Sequence, residues 1–119
     1  MKDSIAASKS VSFAMKIVSV YKLLSIEKKE FVLSKQLLKS GTAIGALIRE
    51  AEHVESKADF LHKMNIALKE ANETEYWLLL LSEGDYLNKE LYTELSNECN
   101  ELIRLLASIV KTTKTNLGR

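Results

Sequence analysis

A series of apolar and small residues at alternating spacings of four and three constrains this chain more than any other feature. It begins at Phe60 and ends at Leu81, with Met64, Ala67, Ala71, Thr74 and Leu78 between them. Heptad spacing places these side chains along one side of an α-helix, as in left-handed four-helix bundles. The sequence also has no proline and only 4 glycines among 119 residues. Long irregular loops are therefore disfavoured, and we expect an all-α fold.

Capping residues and apolar periodicity divide the chain into four predicted helices joined by short turns. The helices span approximately residues 4–25, 30–54, 57–82 and 89–115. The predicted N-caps are Asp3 or Ser4, Ser56 and Asn88, and Gly84 is expected to end the third helix in the left-handed conformation. Short turns make successive helices antiparallel, so we predict one up-down-up-down, left-handed bundle over residues 1–119. The apolar stripe predicted for its first helix is Ile5, Phe13, Ile17, Val20 and Leu24.

Small residues are concentrated in the middle of the second predicted helix. Gly41 and Gly45 lie there, and each interior glycine costs roughly 1 kcal/mol of helix propensity relative to alanine. That cost suggests a compensating contact with a helix that approaches more closely than the usual separation of about 8–10 Å. The contacting helix belongs either to this chain or to another copy, and the sequence leaves both alternatives open.

The end of the third predicted helix is apolar on nearly all sides between Tyr76 and Leu81. A helix without a polar face is covered on more than one side. One small monomer has difficulty burying this segment together with its core, which favours oligomerisation. The alternative is that the neighbouring turn with Tyr86 and Leu87 covers it. The residues predicted to make helix or subunit contacts are Gly41, Gly45, Tyr76, Trp77 and Leu80.

Charge is distributed unevenly although the formal net charge is only +1. Residues 1–49 carry nine Lys/Arg against three Asp/Glu, residues 50–101 carry four against thirteen, and residues 102–119 carry four and no acid. A stripe of lysines can bind the phosphate backbone of a nucleic acid, and the alternative is a solvated helix face. The residues that would form such a binding site are Lys2, Lys9, Lys16, Lys111 and Lys114.

Two carboxylate-x-x-histidine pairs flank the second predicted turn, namely Glu50 with His53 and Asp59 with His62. Such pairs on two helices are half of the ligand set of a di-iron carboxylate site. The other two helices offer lysines rather than glutamates at that end of the bundle, so we predict neither a metal nor another cofactor.

No catalytic group of residues emerges from the sequence. Cys99 lies among glutamates of the last helix, which raise the pKa of a thiol rather than activate it. Glu75 lies beside the apolar seam, where we expect it at the rim or paired with Lys35 or Lys39. We therefore expect a protein that is not an enzyme. A single cysteine, no signal peptide and no apolar run of membrane-spanning length favour a cytoplasmic location.

Three blocks of the sequence carry a family resemblance, namely residues 13–22 (FAMKIVSVYK), 32–46 (VLSKQLLKSGTAIGA) and 67–78 (ALKEANETEYWL). These blocks resemble one bacterial family, the "four helix bundle protein" family encoded in intervening sequences of the large-subunit ribosomal RNA gene. The resemblance extends from about Ser10 to Ile109. It implies a left-handed antiparallel bundle that assembles into a ring, commonly a homopentamer, without catalytic activity. A related branch, the accessory protein of diversity-generating retroelements, is a basic pentameric barrel that engages nucleic acid and a reverse transcriptase.

These considerations predict a non-enzymatic homo-oligomer that acts as a scaffold or as a binding module for a protein partner. The alternative function is that of an accessory protein that binds RNA or DNA together with a reverse transcriptase. A di-iron protein is the remote third alternative.

Overall fold

The structure, a computed structural model, describes residues 4–119. Helices dominate this range, and no strand occurs within it. The confirmed all-α fold has four α-helices, α1 (Ile5–Lys22), α2 (Leu33–Ala51), α3 (Lys57–Glu83) and α4 (Lys89–Asn116), and one π-helical turn (Leu23–Glu27) that follows α1.

Helices that are neighbours in the bundle run antiparallel to each other. Helix α2 packs between α1 and α3, α4 packs on α3, and α1 meets α4 less extensively, which gives a bundle measuring 47 × 22 × 21 Å. The α1–α2 connection and the α3–α4 turn therefore lie at one end, the upper end. The α2–α3 turn, the start of α1 and the end of α4 lie at the other, the lower end. Contacts that set these directions include Ser10 with Gly45, Ile17 with Gly41, Glu50 with Lys63, Ser40 with Thr74, Lys9 with Glu101 and Lys16 with Glu94.

The core follows the apolar stripes that the sequence predicts. Six of the seven seam positions of α3, from Met64 to Leu81, are buried, and Phe60 is half-buried at the lower end. The prediction for Ile5 is wrong, because its side chain is 66% exposed while the adjacent Ala6 is buried. In the first turn of α1 the small side chain thus takes the inward position.

Polar side chains begin three of the four helices as predicted. The Ser4 hydroxyl accepts a hydrogen bond from the Ala7 N–H at 2.9 Å, and Ser56 and Asn88 cap α3 and α4 in the same way. The prediction for Gly84 is wrong, since its φ is −84°. Asp85 takes the left-handed conformation instead, with φ of 65°, which aspartate tolerates better than most residues.

The second helix begins at Leu33, so its predicted start at residue 30 is wrong. Glu30 is buried, and its carboxylate accepts hydrogen bonds from the backbone N–H groups of Val32, Leu33 and Ser34 at 3.2, 3.0 and 2.6 Å. This carboxylate therefore caps α2 from outside the helix. Burial by itself raises the pKa of Glu30, but the hydrogen bonds from Leu33, Ser34 and Val32 outweigh burial and hold the pKa below its ordinary value of 4.5.

The helix α2 also ends earlier than predicted, at Ala51 rather than residue 54, because Glu52 and His53 already belong to the turn. Within residues 4–119, none of the helices combines the length and the apolar character that crossing a membrane requires.

Candidate interaction surfaces

The small residues of α2 lie against α1 of the same chain. A Cβ atom added at Gly41 would lie 3.0 Å from both Cγ atoms of Ile17, and one added at Gly45 would lie 3.1 Å from the Ser10 hydroxyl. Of the two alternatives left open by the sequence, the structure thus places a helix of the same chain at both glycines. Gly41 lowers helix propensity, but its missing side chain leaves room for Ile17, which is fully buried.

The apolar end of α3 is only partly covered by the rest of the chain. Trp77 and Leu80 are half-buried, whereas Tyr76 is 53% exposed. The rings of Tyr76 and Trp77 pack edge to face with centroids 5.2 Å apart. The Trp77 indole N–H is buried, and no residue between 4 and 119 accepts a hydrogen bond from it. The α3–α4 turn folds back on the end of α3, where the backbone N–H groups of Tyr86 and Leu87 donate to the Leu81 carbonyl at 2.9 and 3.3 Å, and Leu87 is buried.

Two of the predicted nucleic-acid-binding lysines instead form ion pairs between α1 and α4. The Lys9 ammonium lies 3.1 Å from Glu101, and the Lys16 ammonium lies 2.8 Å from Glu94 and also pairs with Glu98. Hydrogen bonds to Glu94 and then Glu98 raise the pKa of Lys16. The basic stripe of α1 is thus largely neutralised by the acidic face of α4.

The other predicted lysines do not join this stripe. Lys111 and Lys114 are exposed in the last turns of α4, at the lower end, and form no ion pair with any residue from 4 to 119. Lys111 is separated from Glu101, the partner of Lys9, by a helical rise of about 15 Å. Lys2 lies outside the described residues.

The carboxylate and histidine pairs around the α2–α3 turn do not converge. Glu50 accepts a hydrogen bond from Lys63 at 2.8 Å, and Asp59, His53 and His62 are exposed. Among residues 4–119, no three histidine, cysteine, aspartate or glutamate side chains are close enough to share a metal ion.

Cys99 is buried inside the bundle, and its thiol lies 3.2 Å from the Ala71 carbonyl. Burial, with a smaller contribution from the charge of Glu75, raises the pKa of this thiol to about 12. Glu75 itself accepts hydrogen bonds from Ser96 and Tyr92 of α4. It therefore does not pair with either of the lysines considered from the sequence. A protonated, buried thiol is a poor nucleophile at neutral pH.

The α1–α2 connection exposes a group of apolar side chains at the upper end. Ile26, Phe31 and Val32 are 65%, 59% and 71% exposed, and we call these three residues the apolar knob. The sequence analysis missed this surface because residues 30–32 were assigned to α2. The available signal was the adjacent apolar pair Phe31 and Val32, which directly precedes the start of α2 at Leu33.

The lower end holds a mainly apolar cavity of about 580 Å³, which we call the lower hollow. Its volume is within the range of roughly 300–1,000 Å³ that is typical of ligand pockets. The cavity lies between the α2–α3 turn, the start of α1 and the C-terminal part of α4. The described residues that line it are Ser4, Ala51, Glu52, Val54, Glu55, Ser56, Lys57, Phe60, Met64 and Ile109.

Comparisons with known proteins agree with this fold. The family model described as 23S rRNA-intervening sequence protein matches residues 2–108. A crystal structure of a protein of unknown function, from the S23 ribosomal protein family of Bacteroides thetaiotaomicron, is 57% identical with a TM-score of 0.90, over 93% of this chain and 99% of that one. No curated protein matches the chain. The chain belongs to the family of 23S rRNA-intervening sequence proteins.

Proposed function

We propose that this protein is a non-enzymatic helical bundle that assembles with copies of itself and acts as a scaffold or binding module. The observation that carries the proposal is the grouping of exposed apolar side chains on ordered elements. Single exposed apolar residues are normal on a monomer, whereas grouped ones mark interaction surfaces. Besides the apolar knob, the groups are Val11 with Met15 on α1, at 53% and 65% exposure, and Tyr76 with Leu79 on α3, at 53% and 41%.

The pairs on α1 and α3 are each separated by about one helical turn, so their members lie on the same face of the helix. Contacts through such faces bury apolar area without requiring a ligand or a reaction. The expected assembly is a homopentamer, as the family resemblance implies. We also propose that the protein is located in the cytoplasm, because its sequence has a single cysteine and no apolar run of membrane-spanning length.

Solution mass measured by light scattering over a range of protein concentrations tests this proposal. We expect a species of about five times the chain mass that persists at high salt, because apolar contacts are not screened. A monodisperse monomer at every concentration would contradict it.

Nucleic-acid binding is the second candidate, and the exposed ammonium groups of Lys111 and Lys114 favour it. A ring would repeat this pair in every copy and so multiply a weak phosphate contact. The test is binding of labelled single-stranded RNA and duplex DNA at rising salt. Affinity should fall with salt because phosphate neutralisation releases counterions.

The double variant Lys111→Glu/Lys114→Glu should abolish that binding, while Lys69→Glu, an exposed charge reversal on α3, should weaken it much less. Equal losses in both variants, or binding that ignores salt, would argue against a site on α4.

A further inference from the structure

We propose that the bundle opens reversibly along the interface between α1 and α4, and that the ion pairs across this interface hold it closed. The opening is local, since the other three helix interfaces stay packed. Salt concentration therefore controls access to the interior of the bundle. This property goes beyond the proposed scaffold function and does not depend on self-assembly.

The order of the helices along the chain leaves α1 and α4 able to separate. Of the four pairs of neighbouring helices that the structure describes, α1–α2, α2–α3 and α3–α4 are each joined by a short connection, whereas α1–α4 is not. Helix α1 also meets α4 less extensively than the helices of any other neighbouring pair meet each other. Separation of α1 from α4 therefore breaks the fewest contacts and stretches no connection between helices.

The other three interfaces are held by contacts inside the bundle. Helix α1 lies directly against the buried Gly41 of α2. Between α2 and α3, the buried hydroxyl groups of Ser40 and Thr74 are 2.9 Å apart. Between α3 and α4, the buried Cys99 thiol donates to the Ala71 carbonyl at 3.2 Å. Because these contacts are out of reach of mobile ions, salt does not screen them.

The polar contacts between α1 and α4 are instead ion pairs whose side chains remain partly in solvent. The side chains of Lys9 and Glu101 are 43% and 42% exposed, and those of Lys16 and Glu94 are 41% and 51% exposed. Glu98, the second partner of Lys16, is 29% exposed. Exposed ion pairs are individually weak and are screened by salt. The contacts that close this interface on its solvent side are therefore the ones that salt weakens.

Packing around these ion pairs is also incomplete. A cavity of about 140 Å³ lies between α1 and α4, and its lining consists of Lys9, Ser12, Lys16, Glu98 and Glu101. Protein interiors are normally close-packed, and side chains next to a void lose part of their dispersion contacts. The cavity therefore lowers the energy that resists separation of the two helices.

The native cysteine reports the opening in the unmodified protein. Cys99 lies on the core face of α4 and is fully buried, so N-ethylmaleimide reaches its thiol only when the bundle opens. We expect labelling to be about tenfold or more faster than the rate calculated from the urea unfolding equilibrium, because local opening is less costly than global unfolding. Raising the salt concentration to about 1 M should increase the labelling rate about two- to fivefold. A small peptide thiol calibrates the reagent at each salt concentration.

A matched pair of substitutions identifies the ion pairs of α1 and α4 as the cause. Lys16→Met keeps the aliphatic part of the side chain but removes its charge, so labelling at low salt should become about two- to fivefold faster. The increase with salt should then disappear. Lys63→Met removes the ion pair with Glu50 between α2 and α3, and it should leave the labelling rate nearly unchanged. Circular dichroism verifies that each variant folds.

Two results would overturn this inference. Labelling no faster than global unfolding allows, at both salt concentrations, would show that the bundle opens only by unfolding. Equal acceleration in Lys16→Met and Lys63→Met would show that the α1–α4 interface is not the one that opens. Neither result bears on self-assembly, which light scattering on the same samples measures separately.

Discussion

The absent side chain of Gly41 is what allows Ile17 to pack against α2, since a Cβ atom there would lie 3.0 Å from both Cγ atoms of Ile17. We expect Gly41→Ala to lower the free energy of unfolding by about 1 kcal/mol, because overpacking at a rigid β-branched side chain exceeds the gain in helix propensity. Urea denaturation followed by circular dichroism measures the change.

Two control variants locate the cause of that loss. Gly45→Ala should be nearly neutral, because the helix propensity that alanine gains offsets a small shift of the buried Ser10 hydroxyl, which donates to the Ala7 carbonyl at 2.7 Å. Gly41→Ala should also cost less in an Ile17→Ala background, where both Cγ atoms are gone. The same loss in both backgrounds would mean that the contact with Ile17 is not responsible.

Glu30→Gln should destabilise the protein by about 1–2 kcal/mol at pH 7, because a charged acceptor of three backbone N–H groups becomes a neutral one. The folded-state pKa of Glu30 is lowered below 4.5, so the stability it contributes is present above that value. It is lost as the pH falls through the folded-state pKa, where the wild-type carboxyl group becomes neutral as well.

Urea denaturation of wild type and variant between neutral and acidic pH measures this difference, which should shrink below pH 4.5. Glu27→Gln, an exposed neighbour in the same connection, serves as the control and should change stability little at either pH. A pH-independent difference for Glu30→Gln would contradict the capping role.

Ser40 and Thr74 form a buried polar pair between α2 and α3, with hydroxyl oxygens 2.9 Å apart. Thr74→Val keeps the shape but leaves the Ser40 hydroxyl poorly paired, and we expect a loss of about 1–2 kcal/mol. Ser40→Ala combined with Thr74→Val should lose less than the sum of the single changes. Equilibrium unfolding of all four proteins closes the double-mutant cycle, and strict additivity would show that the hydroxyls do not interact.

Lys16→Glu would place a third carboxylate beside Glu94 and Glu98 and should lower the melting temperature at low salt. The loss should diminish at about 1 M salt, where the Debye length falls to about 3 Å. Lys22→Glu is the matched charge reversal on α1, since Lys22 forms no ion pair within the described chain, and its effect should be smaller. Differential scanning calorimetry at both salt concentrations compares them, and an equal shift in both variants would refute a local effect.

The elements of this fold were predictable because the patterns that specify them are local. The seam from Met64 to Leu81 and the caps at Ser56 and Asn88 depend on residues within one or two turns of each other. The start of α2 was mispredicted for the same reason. The apolar residues Phe31 and Val32 extend the helical pattern towards the N-terminus, so the sequence alone suggests an earlier start. The actual start is set by the Glu30 carboxylate, which caps α2, and the burial of Glu30 depends on the packed bundle.

The interaction surfaces were less predictable because they depend on which helices are neighbours. When α1 is considered alone, Lys9 and Lys16 look like lysines available to bind phosphate. Their glutamate partners become evident only once the position of α4 is known. The lower hollow combines Ser4, which caps α1, with residues of α2, α3, α4 and the α2–α3 turn. The residues that line it are far apart in the sequence, so their spacing does not predict a shared cavity.

The ion pairs between α1 and α4 also bear on how the chain folds while it is being synthesised. Three of the four salt bridges within residues 4–119 join these two helices, the first and the last to leave the ribosome. During synthesis, the side of α1 that packs against α4 is therefore exposed for longer than any other packing surface of the bundle. We expect the lysines on that flank to keep it hydrated and to discourage premature association between nascent chains until the glutamates of α4 emerge.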